Sequence, residues 1–457
     1  MKYVFFTYEH YPLPIAYHLI NEGFTVLVGM FKDPKKAGIP VVHQEKPEET
    51  KMRMTLYSGL MDMMTGEDVL ATLKKVPADQ QKDYFFFFDY GDMWPISEQI
   101  LSMGFRNGIF PTEFYYKLEK ERPIAKELVK KYYPDIKVAV SEEFTKVADG
   151  LKYIQSSKDV LVLKSNGNYG KTVVPRSDDL EIAHEMVSNT LEKYKSEYEK
   201  GGFILEKKIA DCIEFTPVMV FYNGEPIYSL VEIENKEMGA GNIGVQKGGN
   251  QTLCVRTPIN CKLNKIAFPE MIYRLAEKQP GLSIYDAGLL LSGGEMYFTE
   301  FCAMRYGWDG FLTECVMRDD GKPFVNNYFQ DIVDGKNPLV RPFGCSLRLF
   351  NYEGNTEFTE EPKDGLPIIW DKSIDNNMFW YRIRKEGEET VCVGGMDFIG
   401  TMTGAGDTIE EAVTAMYDRI GLIDFEKLLY RPKFDFLSDD YKTSILNRLN
   451  AITEYLK

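Results

Sequence analysis

The sequence predicts an α/β (α+β) protein, on three observations. Short apolar strands alternate with helices over about the first hundred residues, the signature of a parallel sheet. Strand-rich segments then dominate, one of them carrying the Asn-Gly hairpin turn of FYNGEP. At 457 residues the chain exceeds the size at which one core stops growing, so about two to four domains are expected.

The elements follow in order. KYVFFTY reads as a first strand, PIAYHLINEG as a helix ending near Gly23, and FTVLVGMF as a second buried strand. DYFFFFDYG adds a strand and WPISEQILSMGF a helix from near Pro95. Arg122 to Tyr133 forms a basic helix stopped by Pro134. DVLVLKSNG and KTVVP read as two strands around a Gly-rich loop. One long charged helix follows, from Asp178 to the Gly201–Gly202 pair, with Ile182, Met186, Val187, Tyr194 and Tyr198 along one face. FILEKKI, EFTPVMVFYNGEPIYSLVEIE, YDAGLLL, EMYFTEF, GCSLRLFNYEG and TVCVGGMDFIG are strand-rich, and a helix begins at Asp407.

Composition removes several function classes. A formal charge of −15 argues against a nucleic-acid surface, which needs clustered Lys and Arg. No apolar run reaches the roughly 18 residues of a membrane span. The opening MKYVFFTYEHYPLP is too short in apolar residues for a signal peptide, which favours the cytoplasm. Seven dispersed cysteines without a C-x-x-C pair suggest buried, reduced thiols. The four histidines show no metal-ligand spacing.

Chemistry concentrates in four stretches. In VLVLKSNGNYGKTVVP, Lys164 ends a strand and can reach a phosphate as a point charge. Gly167 and Gly170 lack the four-residue spacing of a P-loop, and a strand rather than a helix follows Lys171. A nucleotide loop and an ordinary Gly-rich turn remain as readings. Glu206 and Glu214 stand at strand ends, where they receive ribose hydroxyls or an adenine edge, or serve as solvated charges. NKEMGAGNIGVQKGGNQ reads as a long glycine-rich loop that approaches a ligand closely, or as a linker. In YFTEFCAMRYG, Glu300 and Cys302 share one strand face with Arg305 just beyond, which suits Mg²⁺ or a structural Glu–Arg pair.

The order of these stretches resembles the ATP-grasp ligases, and among them the phosphoribosylamine–glycine ligase family, from about Leu118 to about Phe434. LEKERPIAKELVKKYYPDIKV is similar to L-E-G-S-K-x-F-A-K, with Arg122 and Lys126 on the family's two lysines. VLVLKSNGNYGKTVV is similar to V-V-K-A-D-G-L-A-A-G-K-G-V, and FILEKKIADCIEFT to V-I-E-E-F-L-x-G-E-E-x-S. GAGNIGVQKGGNQ resembles the substrate loop G-D-G-D-x-G-P-N-T-G-G-M-G, and TEFCAMRYG the metal strand E-F-N-x-R-F-G-D-P-E. GAGDTIEEAVTAMYDRIGLIDFEKLLYRPKFD resembles the C-terminal G-x-T-L-x-E-A…Y-R-x-D-I-G.

The resemblance implies an ATP-grasp fold: an N-terminal parallel α/β domain over 1–111, an ATP-grasp domain over 112–334 with a mobile lid at about 139–199, a β-rich domain over 335–436 and a helical tail over 437–457. It implies ATP and Mg²⁺ (or Mn²⁺) as cofactors. The nucleotide is then held by Arg122, Lys164, Gly167, Gly170, Lys171, Glu206, Lys207, Ile209 and Glu214, with Glu206 at the adenine hinge and Glu214 on the ribose. Lys164, Arg305 and Glu300 carry the chemistry. Asn242, Gly244, Lys247, Gly248 and Gly249 form the substrate loop. Glu300 and Cys302 take the metal positions. The implied reaction activates a small carboxylate, an amino acid such as glycine, as an acyl phosphate that an amine attacks. A monomer or homodimer is implied, with no membrane or nucleic-acid partner.

Three departures shift the expected substrate. Cys302 replaces the metal-binding Asn and is a poor ligand for a hard cation. Trp308 stands where the family has a carboxylate. The N-terminal G-x-G-G-R-E-H-A-L phosphate loop survives only as Glu9 and His10 of FFTYEHYPLP. These favour an altered amine over phosphoribosylamine itself. True phosphoribosylamine–glycine ligation, and a nucleotide-binding module without ligase activity, are the alternatives.

Overall fold

A computed structural model describes residues 1–40, 47–166, 170, 172–302, 308–318, 324–351, 364–394, 398–438 and 444–457. The N-terminal region forms a parallel sheet from β1 (Lys2–Thr7), β2 (Thr25–Met30), β3 (Met64–Thr65) and β4 (Tyr84–Phe88), in the order β3-β2-β1-β4. The middle of β1, Tyr3–Phe6, and the whole of β4 are aromatic or aliphatic because both faces of the sheet are covered. Tyr3, Phe5, Phe85 and Phe87 enter the main core, whereas Val4, Phe6, Phe86 and Phe88 enter a second core on the other face. Phe5 and Phe87 stack at 4.3 Å between ring centroids.

The next strands are β5 (Ile136–Val138), β6 (Ser141–Phe144), β7 (Leu161–Ser165) and β8 (Phe203–Lys207). β6, β8 and β7 form a separate antiparallel sheet in that order. It owns a small core in which Val147, Ile154, Leu163, Val187, Tyr198 and Phe203 pack together. The helices covering it run Val147–Ser156, Leu180–Lys193 and Lys195–Gly201. The single long helix expected here is therefore broken: Tyr194 leaves helical geometry at φ −112° and ψ 31°. Burial of Leu191 and Tyr198 around that break anchors both pieces to one core. Gly202 ends the second piece at φ 78°, as the paired glycines predict.

A large sheet follows, from β9 (Ile213–Tyr222), β10 (Glu225–Gly239), β11 (Ile243–Thr257), β12 (Leu282–Asp286), β13 (Gly288–Ser292), β14 (Glu295–Glu300) and β15 (Phe343–Asn351). β16 (Ile369–Trp370) pairs outside it, as do β18 (Ile383–Glu386) and β19 (Glu389–Cys392). β17 (Met378–Trp380) and β20 (Phe398–Gly406) complete the path β17-β20-β15-β11-β10-β9-β13-β14-β5, with β12 also on β9. All of these pairs are antiparallel except β14 with β5. Asn223 and Gly224 turn β9 into β10 at φ 49° and 88°, the primed turn that Asn-Gly favours.

Two local expectations change. The glycine-rich stretch from Asn235 to Gln251 is no open loop but the end of the β10–β11 ribbon, turning at Gly241 and Asn242 with positive φ. Register shifts near Glu237 and Gly239 absorb the extra residues, so its glycines serve bulges rather than mobility. Thr172 to Pro175 forms no strand; Val173 alone bridges Leu163, exchanging N–H···O bonds of 2.8 and 3.0 Å. Among the described residues no helix is long and apolar enough to cross a membrane. Cys254, Cys261, Cys315, Cys345 and Cys392 are buried and all seven cysteines are free.

Candidate functional site

One helix, Arg122–Tyr132, sets the geometry of the site. Residues four apart on a helix share a face, so Arg122 and Lys126 project together. Arg122 reaches the end of β14, with Nη1 3.2 Å from Glu300 Oε2. Lys126 reaches β8, where its Nζ donates to Glu206 Oε2 and, at 2.8 Å, to Ser141 Oγ. The helix thus ties the small sheet to the large one.

Lys164 approaches the same carboxylate from β7, with Nζ 2.7 Å from Glu206 Oε1. All three side chains are buried. Burial alone would raise the Glu206 pKa, but Lys164 and Lys126 outweigh it and hold the carboxyl below its ordinary 4.5. Lys126 is depressed, by burial first, with Glu206 opposing. Two cations and one anion leave a net positive charge facing the adjoining space. Glu206 is thereby committed to two lysines, which satisfy a carboxylate more strongly than a neutral amino group would.

That space is a cavity of about 470 Å³, within the range of small-molecule sites. Val162, Val174, Ile209 and Leu290 give it an apolar wall. Arg122, Lys164, Lys207, Lys208, Lys236 and Arg448 supply six cations against the carboxylates of Glu206, Glu214 and Glu300. An acidic protein therefore keeps a locally basic pocket, the electrostatics an oligophosphate requires. Lys236 Nζ lies 2.6 Å from Glu214 Oε1, and Glu214 and Glu234 raise its pKa against the effect of burial.

Arg122, Lys164, Glu206, Lys207, Ile209, Glu214, Asn242 and Glu300, expected from sequence, all line this one cavity. Gly244, Gly248 and Gly249 sit in β11, away from its lining. Gly170 is placed by Ser165 Oγ, which donates to its carbonyl at 2.8 Å. Gly167, Lys171 and Arg305 lie outside the described residues, as do the side chains of Lys247 and Trp308. β14 ends at Glu300, so Cys302 leaves the strand and does not share its face; the Cys302 N–H donates to Asp286 Oδ1 at 2.6 Å. Cys302 is absent from the cavity lining. Among the described residues no three His, Cys, Asp or Glu side chains cluster as a preformed metal site. Glu300 lines the cavity, and one carboxylate there fits Mg²⁺, whose sites draw few ligands from protein.

Sequence reasoning missed Lys208, Lys236, Gln246 and Arg448. Arg448 comes from the helix Ile445–Ile452 near the C-terminus. Its Nη1 donates to the Glu234 carbonyl at 2.8 Å and its Nη2 to Asn235 Oδ1 at 2.5 Å, while buried Nε finds no acceptor among the described residues. Burial lowers its pKa to about 10. Arg431 fixes the ribbon turn, donating to Asn242 Oδ1 at 2.7 Å and to the Glu237 carbonyl at 2.8 Å. No sequence periodicity marks either arginine, since each acts through a strand roughly two hundred residues away.

A small antiparallel sheet and a large mixed sheet enclosing one basic cavity, behind a parallel N-terminal sheet, constitute the ATP-grasp fold. Within that fold the chain is similar to phosphoribosylamine–glycine ligase from Thermotoga maritima, at 20% identity and TM-score 0.62 over 94% of this chain and 99% of that one. It is also similar to the biotin carboxylase domain of Hydrogenobacter thermophilus 2-oxoglutarate carboxylase, solved with MgADP and bicarbonate (13% identity, TM-score 0.58, 100% and 98% covered). L-amino acid ligase from Bacillus licheniformis shares the fold at 12% identity and TM-score 0.52, over 93% and 98% of the two chains. No protein-family model and no curated protein sequence matches the chain.

Proposed function

We propose that this protein is an ATP-dependent carboxylate–amine ligase of the ATP-grasp type, with an amine substrate other than phosphoribosylamine. The observation that carries this reading is the convergence of Arg122, Lys164, Glu206 and Glu300 on one cavity. Residues 1–111 act as the N-terminal domain, 112–334 as the ATP-grasp domain with a lid at about 139–199, 335–436 as a β-rich domain and 437–457 as the tail. A cytoplasmic location accompanies this reading.

The chemistry follows from the charges. ATP enters with its adenine against Val162, Val174, Ile209 and Leu290 and its phosphates toward Lys164 and Arg122. A carboxylate oxygen attacks the γ-phosphorus, the bond to the ADP oxygen breaks, and an acyl phosphate forms. The amine nitrogen then attacks the carbonyl carbon; phosphate leaves with the bonding pair, and the nitrogen loses a proton to give the amide. Fixed cations that need no reorganisation stabilise the charge developing on the transferring group. Mg²⁺ (or Mn²⁺), held by Glu300, would neutralise phosphate charge. Arg305 and Lys171 complete the anion contacts in this reading, and closure of the lid excludes water from the acyl phosphate.

The test is an ADP-release screen with ATP, Mg²⁺ and amino acids crossed against amines, phosphoribosylamine with glycine included. Amine-dependent ADP release that disappears in Glu300→Gln supports the ligase. Robust turnover of phosphoribosylamine with glycine would instead identify the unaltered reaction. Nucleotide binding without ADP release under any pairing would identify a binding module.

A further inference from the structure

The sheet order β3-β2-β1-β4 places a topological switch between β1 and β4, since the chain leaves β1 toward β2 while β4 lies on the other side. Open parallel sheets bind ligands in the crevice beyond the carboxyl ends of such strands. Here the donors at that crevice converge on a carboxylate of the chain itself. Thr7 Oγ1 donates to Asp89 Oδ1 at 2.7 Å, and the N–H groups of Tyr8 and Glu9 donate to Asp89 Oδ2 at 2.5 and 2.7 Å. The His10 N–H donates back to Thr7 Oγ1 at 2.7 Å, and His10 adopts φ 72° to close the turn. Consecutive amides and a hydroxyl arranged around one anion are what a bound phosphate would use.

Asp89 is 1% exposed and follows directly on β4. Next to it in the chain, Tyr90 lies 5.1 Å from Tyr11, which stacks on Tyr381 at 5.1 Å. A second carboxylate, Asp92, accepts from Tyr8 Oη at 2.6 Å. The cations facing the turn, Arg53 and Arg382, donate to the carbonyls of Tyr8 and Val393. A phosphate dianion placed at the turn would meet both aspartates at close range.

The turn touches the β10–β11 ribbon. Met238 packs against the Phe350, Tyr381 and Phe398 cluster together with Tyr11, and Asn242, four residues on, lines the cavity. The turn at the end of β1 therefore packs, through Tyr11, on the ribbon that borders the cavity.

We propose that Asp89 occupies the anion position of the acceptor side, so that the amine substrate carries no phosphate group there. The proposal rests on the ligase reading above and names the class of its second substrate: a phosphate-free amine.

Two measurements test it. In the ADP-release assay, ethanolamine and 2-aminoethyl phosphate, and wider amine pairs differing only by a phosphate, are compared at fixed carboxylate. The expected result is at least a hundredfold higher kcat/KM for the phosphate-free member; a preference for the phosphorylated member overturns the proposal. If no amine supports ADP release, the ligase reading fails, and the second measurement still decides the cradle. Inorganic phosphate is titrated calorimetrically into ADP-saturated parent, Asp89→Ser and Asp89→Asn, with circular dichroism confirming that each variant folds. The expected result is a phosphate site in Asp89→Ser that the parent lacks, with Asp89→Asn intermediate because it keeps the volume but loses the charge. Equal phosphate binding by all three, or none by any, overturns the assignment.

Discussion

Lys164 and Glu206 form a buried ion pair across the antiparallel strands β7 and β8, with Nζ 2.7 Å from Oε1. In the ligase reading, a nucleotide phosphate entering the cavity meets a lysine already fixed in place. In the ligase reading, Lys164→Ala weakens ATP binding about 10- to 100-fold, about 1.4 to 2.7 kcal/mol. Lys171→Ala has the smaller effect, because Lys171 belongs to the segment after the strand. Nucleotide titration of both variants measures the ratio, and a larger loss for Lys171→Ala would reverse the assignment.

Glu206 holds two lysines, so its removal strands like charges in a buried place. Glu206→Gln is expected to destabilise the fold by about 3 to 5 kcal/mol, the usual cost of orphaning buried charge. The pH dependence has a definite sign. The Glu206 carboxyl is held below 4.5, so its contribution is present above that pH and is lost as pH falls through the depressed folded value. Denaturant unfolding of parent and variant should converge in acid.

Glu300 separates chemistry from stability. Its ion pair with Arg122 is partly solvated, with the Glu300 side chain 42% exposed, so Glu300→Gln costs less than about 1 kcal/mol of stability. If Glu300 holds the metal, ADP release falls by about a hundredfold or more and the apparent Mg²⁺ requirement rises. Equal turnover in parent and variant would remove Glu300 from the site.

Arg448 reaches the cavity from the tail, held by main-chain and side-chain oxygens of the ribbon. A residue that only docks the tail would lower stability without altering kinetics. A residue that also receives the anionic substrate raises KM for the carboxylate about tenfold in Arg448→Met, with partial recovery in Arg448→Lys. Steady-state kinetics beside thermal unfolding distinguishes the two roles.

Glu314 is a pH sensor of stability outside the site. Burial raises its pKa from 4.5 to about 7, although the hydroxyls of Tyr228 and Tyr328 donate to it at 2.5 and 2.9 Å. The folded state keeps this proton longer than the unfolded state. Its contribution is thus greatest below 4.5 and is lost as pH rises through about 7, at about 1.4 kcal/mol per unit. Glu314→Gln removes that slope, so urea unfolding should show the variant gaining on the parent between pH 5 and pH 8.

The sequence by itself determined the α/β alternation, the Asn-Gly hairpin, a helix beginning near Asp407 and, as charged residues at strand ends, the candidates Lys164, Glu206, Glu214 and Glu300. Each is a local signal: a hydrophobic period, a turn requirement, or a charged residue at the end of an apolar strand. The helix Ile409–Ile420 begins on Thr408 with a reciprocal Glu411 contact, a capping box readable three residues apart. Tertiary structure decided the rest. It broke the long helix at Tyr194 and drew the glycine-rich stretch into a ribbon, because pairing with neighbouring strands outweighs local flexibility. It turned Glu206 from a free acceptor into the centre of a lysine pair, brought Arg448 from the tail, and set Asp89 into the turn after Thr7. Those partners lie tens to hundreds of residues apart, and a lone charge carries no mark of what it will meet. Only the packed chain fixes which opposite charge satisfies it, because a buried charge must find its partner inside the fold.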